Sequence, residues 1–184
     1  LPSLDIGKVN RIDNKVLTYS GKALNVAIGV SRLGGDAFST GFMFEKDCGQ
    51  FLKTLDAENV KNDFVVTDGS VRINYKIIDN HSMMTEINDR GERVSLEKQA
   101  ELIEKSAYYA KNASIAVMSG SLPKGVDDDF YYKLIKSMPA GVKVAVDCEG
   151  EKLKKALSAG VYLVKPNLTE LENFTGEPCR GISG

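Results

Sequence analysis

The 184-residue chain is long enough to bury a sizeable hydrophobic core, and its length is most simply that of one domain. Its 24 lysines and arginines nearly balance its 25 aspartates and glutamates. No overall field would therefore draw it to nucleic acid or to an anionic membrane, and an anionic ligand needs a local site. The sequence has no long apolar run and no leader pattern, so we expect a cytoplasmic protein without a membrane segment.

Alternating runs in the first half predict two antiparallel ribbons. The run KVNRIDNKVLTY predicts two strands that turn at Asp13–Asn14. The runs SVRINYKIID and SMMTEIND predict a hairpin that turns at Asn80–His81. Antiparallel ribbons within an α/β chain typically form a flap or a secondary sheet. We therefore expect a small β lid with strands at about 8–19 and 71–89.

A long helical pattern follows the second ribbon, in the run SLEKQAELIEKSAYYAKN. Ser95 precedes it and is a residue type that caps helix N-termini. The helical period places four apolar residues on one face, which we expect to be buried. These residues are Leu96, Ala100, Ile103 and Ala107.

Strand and helix patterns alternate through the second half. Strands are predicted at 114–120, 142–147 and 161–167 from short β-branched runs. Helices are predicted at 127–138, with an acidic first turn over its three aspartates, and at 150–160, ending on a glycine. This order predicts right-handed βαβ units and a parallel sheet.

Three polar turns lie where ligands bind in such sheets, beyond the carboxyl ends of the strands. The turn Ser20-Gly21-Lys22 precedes a helix predicted at 23–33 and offers backbone N–H groups and an ammonium to a phosphate or to sugar hydroxyls. A tight turn that only brings the helix close to the sheet explains the same residues equally well. Asn25 favours the ligand interpretation, because a buried amide in the first helical turn would reach the same space.

The other two turns also have structural explanations. In SGSLPKG, which begins at Ser119, small residues either let a ligand approach the backbone or only bend the chain. In KPNLTELE, Asn167 and Glu170 have the spacing of a helix capping box, which does not require Lys165.

These turns in this order resemble the ribokinase-like (PfkB) carbohydrate kinases. SGKALNVAIGVSRLGG is similar to the family's first signature, and KPNLTELE to its Lys-Pro-Asn-x-x-Glu segment. PSLD, VRINYKI, TEIN and SGSLPKGV resemble the branch that phosphorylates sugar phosphates, which includes 1-phosphofructokinase and tagatose-6-phosphate kinase. The resemblance implies a three-layer α/β/α fold with a mainly parallel sheet and an antiparallel β lid.

The resemblance also implies roles for individual residues. Substrate contacts fall on Asp5, Gly21, Lys22, Asn25, Arg72 and Ser121. Arg72 would pair with the phosphate that the sugar already carries, because a guanidinium fork suits a phosphate. Lys165 and Asn167 would face ATP, and Glu170 would act through water on Mg²⁺, which tends to keep its waters.

One family feature is absent from the sequence. The second signature, a Gly-Ala-Gly-Asp turn that supplies anion-holding backbone groups and the catalytic base, does not occur in these 184 residues. We therefore expect one α/β sugar-kinase domain over residues 1–184 whose C-terminal part is missing, with no catalytic base and no activity of its own. If this chain alone turned over substrate, another carboxylate such as Asp147 would have to act as the base.

The resemblance implies ATP-dependent phosphorylation of a ketohexose phosphate to the bisphosphate, in a homodimer formed through the lid. Two alternatives stay open. A kinase for an unphosphorylated sugar or nucleoside would not need Arg72. A binding module that senses a sugar phosphate or nucleotide would not need the missing turn, and reading the gene past Gly184 separates it from the enzyme.

Overall fold

Helices alternate with short strands along residues 3–179, the part of the chain that the computed structural model describes. The helices are α1 (Lys22–Arg32), α2 (Cys48–Ala57), α3 (Leu96–Ala110), α4 (Phe130–Ser137), α5 (Gly150–Ala159) and α6 (Leu168–Thr175). The strands are β1 (Phe38–Ser39), β2 (Phe42–Phe44), β3 (Lys61–Asn62), β4 (Val65–Thr67), β5 (Asn74–Ile78), β6 (Met84–Asn88), β7 (Ile115–Ser119), β8 (Lys143–Asp147) and β9 (Leu163–Val164).

The predicted parallel sheet of the second half is confirmed. Strands β7, β8 and β9 lie in that order and are parallel, and the register pairs Ser119 with Asp147 at the carboxyl ends. Helices α4 and α5 pack beside it through Leu134, Ile135 and Leu153. The parallel pairing brings the residues that end adjacent strands to one edge of the sheet.

Four further strands form parallel pairs that the sequence patterns did not predict. Strand β1 pairs with β3, and β2 pairs with β4, over only two or three residues each. Val65 of β4 is fully buried, and Phe42 of β2 packs on Phe130 of α4 with ring centroids 5.7 Å apart. These short runs lack the length that makes a strand pattern recognisable.

The predicted hairpin forms an antiparallel ribbon. Strands β5 and β6 pair through Tyr75 and Ile87, and the chain turns at Asn80–His81. The turn is held by Asp79, whose Oδ1 accepts hydrogen bonds from the backbone N–H groups of His81 and Met83, each at 2.9 Å. Both strands are largely exposed.

The other predicted pair of lid strands, at about 8–19, is wrong, because these residues contain no strand. Most of the segment is exposed, and Val16 keeps 87% of its accessible surface. A two-stranded ribbon is marginal in water unless one face packs on other elements. Here Tyr19 packs edge-on against Phe51 of α2, but residues 8–18 are exposed.

Helix α3 begins as predicted but buries a different face. The Ser95 hydroxyl accepts a hydrogen bond from Lys98 N, which confirms the cap. Leu96 is 77% exposed, whereas Gln99, Leu102 and Ala110 are buried. The Gln99 amide fixes this orientation by donating to the carbonyls of Val94 (3.1 Å) and Gly125 (2.9 Å).

Helix α4 differs from prediction at its start. Because it begins at Phe130, its first turn holds none of the three aspartates, and Asp129 occupies the N-cap position without a side-chain cap. Asp129 instead pairs with Lys133 one turn later, at 2.9 Å. None of the helices described in residues 3–179 is long and apolar enough to cross a membrane.

Candidate functional site

A cavity of about 460 Å³ joins the start of α1, the strands β2 and β7, and the loops beside the lid. Its polar lining includes the Ser20-Gly21-Lys22 turn, the Ser119-Gly120-Ser121 turn and the arginines next to β5 and β6, together with Thr40 and Ser106. The remaining lining is mainly apolar and includes Phe42, Leu102 and Val117. Four of the six predicted substrate residues, Gly21, Lys22, Arg72 and Ser121, therefore lie around one space.

The turn before α1 has room for a ligand. Gly21 is the N-cap residue, in an extended conformation (φ −169°) that any residue can adopt. A Cβ atom added there would meet nothing closer than Leu24 at 3.8 Å, so packing does not require a glycine. The helix provides no side-chain cap. No side chain therefore caps its first backbone N–H groups, and such groups are suited to a polar or anionic partner.

The second turn does depend on its glycine. Gly120 has φ +110°, which L side chains rarely adopt. Its carbonyl accepts a hydrogen bond of 2.9 Å from the Tyr131 hydroxyl, and burial raises the pKa of Tyr131 well above its usual range. The phenol therefore stays a proton donor and holds the turn that carries Ser121.

Two arginines line the cavity on the lid side. Arg72 lies two residues before β5 and Arg90 two residues after β6, and both are exposed. Gly91, next to Arg90, lies close to Arg72: a Cβ atom on this glycine would be 3.4 Å from the Cβ of Arg72. Arg90 was missed because the run NDRGERV carries no signal beyond a polar turn.

Asp147, at the carboxyl end of β8, links the Ser20-Gly21-Lys22 turn to the turn of the KPNLTELE segment. Its carboxylate oxygens lie 3.7 Å from Lys22 Nζ and 3.7 Å from Lys165 Nζ, and Ser119 Oγ donates to it at 3.3 Å. Only 19% of its side chain is exposed. Sequence reasoning named Asp147 only as a substitute base, since neither lysine is near it in sequence.

The third turn contains the capping box that its spacing predicted. Asn167 Oδ1 accepts from Glu170 N, and Glu170 Oε2 accepts from Asn167 N, each at 2.9 Å. The second Glu170 carboxylate oxygen takes no part in the box. Within residues 3–179, no three acidic, histidine or cysteine side chains are placed so that they could hold a metal ion together. Mg²⁺ often binds through one carboxylate, waters and substrate phosphates, and Glu170 fits that pattern.

The structure does not bring Asp5 and Asn25 to the cavity. Asp5 is exposed, pairs with Lys8 at 3.4 Å and exchanges hydrogen bonds with Asn10. Asn25 is exposed on α1 rather than buried, contrary to the expectation from sequence. Their predicted roles stay predictions.

The chain matches known carbohydrate kinases over nearly its whole length. The model of the pfkB family carbohydrate kinases matches residues 3–181, and the chain belongs to this family. It is 31% identical over 183 residues to a 1-phosphofructokinase from Haemophilus influenzae, and 36% identical over 156 residues to one from Borreliella burgdorferi. These alignments cover 99% and 84% of the chain.

A solved structure gives the fold. The tetrameric inhibited form of phosphofructokinase-2 from Escherichia coli superposes with a TM-score of 0.84 and 26% identity, over 98% of this chain and 60% of that one. The fold is therefore ribokinase-like, as the sequence indicated. The chain spans only 58% and 50% of the lengths of the two curated relatives.

Proposed function

We propose that these residues form the substrate side of an ATP-dependent kinase that phosphorylates a ketohexose phosphate, fructose 1-phosphate or a similar sugar, to the bisphosphate. The observation that carries the proposal is that Gly21, Ser121 and Arg72 line one cavity although they come from three distant segments. In the reaction the sugar hydroxyl oxygen would attack the γ-phosphorus of ATP, its proton would pass to the base that the family's second signature supplies, and the bond to the bridging oxygen would break to release ADP. Catalysis of such transfers rests mainly on positioning and on charge stabilisation.

Arg72 supports a substrate that already carries a phosphate. Among the ion pairs between described residues, none involves this guanidinium, which is exposed beside the cavity. Arg90 lines the same cavity and adds a second positive charge. An unphosphorylated sugar or nucleoside would give these two charges no partner, so we favour a sugar phosphate over that alternative.

The nucleotide would lie on the other side of Asp147. Lys165 and Asn167 follow the end of β9, where the N-terminus of α6 favours negative charge, and this arrangement supports phosphate binding there. Glu170 would hold Mg²⁺ through water while its Oε2 stays in the capping box. The ion would neutralise charge on the ATP phosphates.

We further propose a homodimer formed through the lid. The β5–β6 ribbon exposes Tyr75, Met84 and Ile87 to solvent, and exposed apolar strands are often covered by pairing. The Escherichia coli neighbour is described as tetrameric, which supports self-association. A cytoplasmic location is also proposed, as the place where ATP and sugar phosphates are available.

The test is a coupled ADP-release assay on two polypeptides. One ends at Gly184, and the other extends through the family's Gly-Ala-Gly-Asp turn. The extended polypeptide should turn over a fructose phosphate with ATP, and the shorter one should not, since its sequence lacks the base. Turnover by the shorter chain would assign the base to a residue such as Asp147. Sugar-phosphate binding without turnover by either polypeptide would favour the binding module.

A further inference from the structure

Two arginines face each other where the β5–β6 ribbon ends at the cavity. The hydrogen bond from Asp89 N to Ile73 O (3.3 Å) continues the antiparallel ladder one residue beyond its last pair. One step further, the same register places Arg90 opposite Arg72. Opposite residues of an antiparallel ribbon extend their side chains on one face, with Cβ atoms about 4.5–5.5 Å apart. The ribbon therefore directs two cationic side chains to the same side, and both line the cavity.

Another charged pair on this face of the ribbon is complementary. Lys76 and Glu86 are partners in the register, and their side chains form an ion pair of 2.8 Å. Like charges in opposite positions destabilise a ribbon, so an arginine pair calls for an anion between its members. Among the ion pairs between described residues, none includes Arg72 or Arg90.

The acidic side chains on either side of Arg90 have other contacts. Asp89 Oδ1 accepts a hydrogen bond from Gly91 N at 3.0 Å, and this bond helps to hold the pKa of Asp89 below its usual range. Glu92 lies against Gly69, where an added Cβ atom would be 2.9 Å from Glu92 Cγ. With Gly91 at φ +70°, the Asp89 contact fixes the turn that carries Arg90.

We propose that Arg90 is a second residue that binds the phosphate of the sugar substrate, opposite Arg72, and that the pair selects a phosphate monoester. This inference rests on the proposed function and names the chemical class of anion that the site accepts.

The chemistry of the two guanidinium groups argues for a monoester. A phosphate monoester carries about two negative charges at neutral pH and has three acceptor oxygens, so two arginines can share it. Each guanidinium presents a fork of N–H donors that matches two of these oxygens. The carboxylate of a sugar acid carries a single charge and two oxygens, which one fork already satisfies. Such a ligand would leave Arg72 and Arg90 repelling each other.

Calorimetric titration of the longest polypeptide encoded with these residues tests the proposal. Fructose 1-phosphate and fructose 6-phosphate are titrated separately and without ATP, so that the result does not depend on turnover. Arg90→Gln should weaken binding of the isomer that the wild type binds more tightly by about 10- to 30-fold, because a charge-assisted contact is lost. Arg90→Lys keeps the charge but not the fork, and should recover only part of this affinity.

A sugar acid and a matched variant provide the controls. Glucuronate should bind the wild type at least about tenfold more weakly than the preferred sugar phosphate does. Equal affinities for the two ligands would overturn the selection of a monoester. Arg93→Gln removes a positive charge that is exposed in the same segment but lies outside the cavity lining, and it should change affinity less than about twofold. Equal losses in Arg90→Gln and Arg93→Gln would overturn a specific contact.

The outcomes separate this inference from the proposed function. If the wild type binds a sugar phosphate and Arg90→Gln binds it equally well, the inference is overturned and the proposed function stands. If the wild type binds neither sugar phosphate, both are overturned. Arg90→Gln should not lower the melting temperature of the ligand-free protein, since it removes one of two opposed like charges. A lower melting temperature with unchanged affinity would make Arg90 a structural residue and overturn the inference.

Discussion

Lys22 and Lys165 share Asp147, and both contacts are loose. Each ammonium lies 3.7 Å from a carboxylate oxygen, and both lysine side chains are more than half exposed. Pairs of this kind contribute little to stability, so either lysine can turn to a phosphate at small cost. We infer that Asp147 holds the two ammonium groups near the positions that the sugar and ATP would require.

Arg72→Ala in the complete enzyme should weaken sugar-phosphate binding by roughly 1.5–3 kcal/mol, because a charge-assisted contact to phosphate is lost. ATP binding should be nearly unchanged. Calorimetric titration of each ligand measures both effects. Arg11→Ala is the control, since this exposed arginine is not part of the cavity lining. Equal losses for the two ligands would count against the role of Arg72.

Glu170→Gln separates capping from catalysis. Glutamine keeps the capping-box geometry, so the melting temperature should change little. The loss of charge should lower the rate of the complete enzyme and raise the magnesium concentration that it requires. Glu172→Gln, on the same helix, should leave the magnesium titration unchanged. If Glu170→Gln also leaves it unchanged, Glu170 acts only as a cap.

Contacts between residues close in sequence could be predicted, whereas contacts between distant residues of the candidate site could not. The Asn167–Glu170 box was predictable because both partners lie within one helical turn. The place of Asp147 between Lys22 and Lys165 was not predictable, because the parallel strand order creates it. Asn25 was expected to be buried, but the orientation of α1 leaves it exposed.

Asp63, in the segment between β3 and β4, holds helix α3 in place through an ion pair and a hydrogen bond. Lys105 Nζ lies 2.7 Å from Asp63 Oδ1, and the Tyr109 hydroxyl donates to Oδ2 at 2.7 Å. The Lys105 contact, with help from Tyr109, holds the pKa of Asp63 below its usual range. Tyr109 also stacks on Phe38 with ring centroids 4.0 Å apart.

Asp63→Asn should therefore destabilise the chain in a pH-dependent way. A lowered folded-state pKa means that the ionised group stabilises the fold above the pKa of the unfolded carboxyl. This contribution is lost as the pH falls through the folded-state pKa. Because the side chain is 40% exposed, we expect a loss of only about 0.5–1 kcal/mol at neutral pH.

Urea unfolding at a series of pH values measures this effect. The difference between the wild-type chain and Asp63→Asn should shrink as the pH falls through the lowered folded-state pKa of Asp63, and vanish once both states bind the proton. Asp56→Asn, an exposed substitution on α2, is the control. A difference that does not change with pH would mean that the Asp63 charge has no part in holding α3.

Strands whose pairing partner lies nearby in the sequence could be predicted. Where an element depends on packing against distant residues, its sequence pattern was not enough. The β5–β6 hairpin followed from two alternating runs around one turn, and the pairing confirms it. The run at 8–19 alternates equally well, but its residues 8–18 stay exposed and Tyr19 packs on Phe51. For α3, the period was right, but the contact of Gln99 with Gly125 selected another face.

In the molecule as a whole, the β2–β4 pair and the β7–β8–β9 sheet are separate groups of parallel strands. The sequence patterns did not predict this separation. The family was identified from three motifs: the first signature, the SGSLPKG turn and the KPNLTELE segment. The family match over residues 3–181 confirms it. These motifs could not show that β2 and β7 remain apart around an apolar cavity, since that depends on which strands are neighbours.

The proposed function requires that the cavity lined by Gly21, Arg72 and Ser121 bind a sugar phosphate. Amide chemical shifts of the longest polypeptide encoded with these residues, titrated with fructose 1-phosphate and separately with fructose, test it most directly. The phosphorylated sugar should shift the amides of these three residues together and at lower concentration than fructose does. Absence of shifts at these amides, or equal responses to both sugars, would rule out a sugar-phosphate site in this cavity.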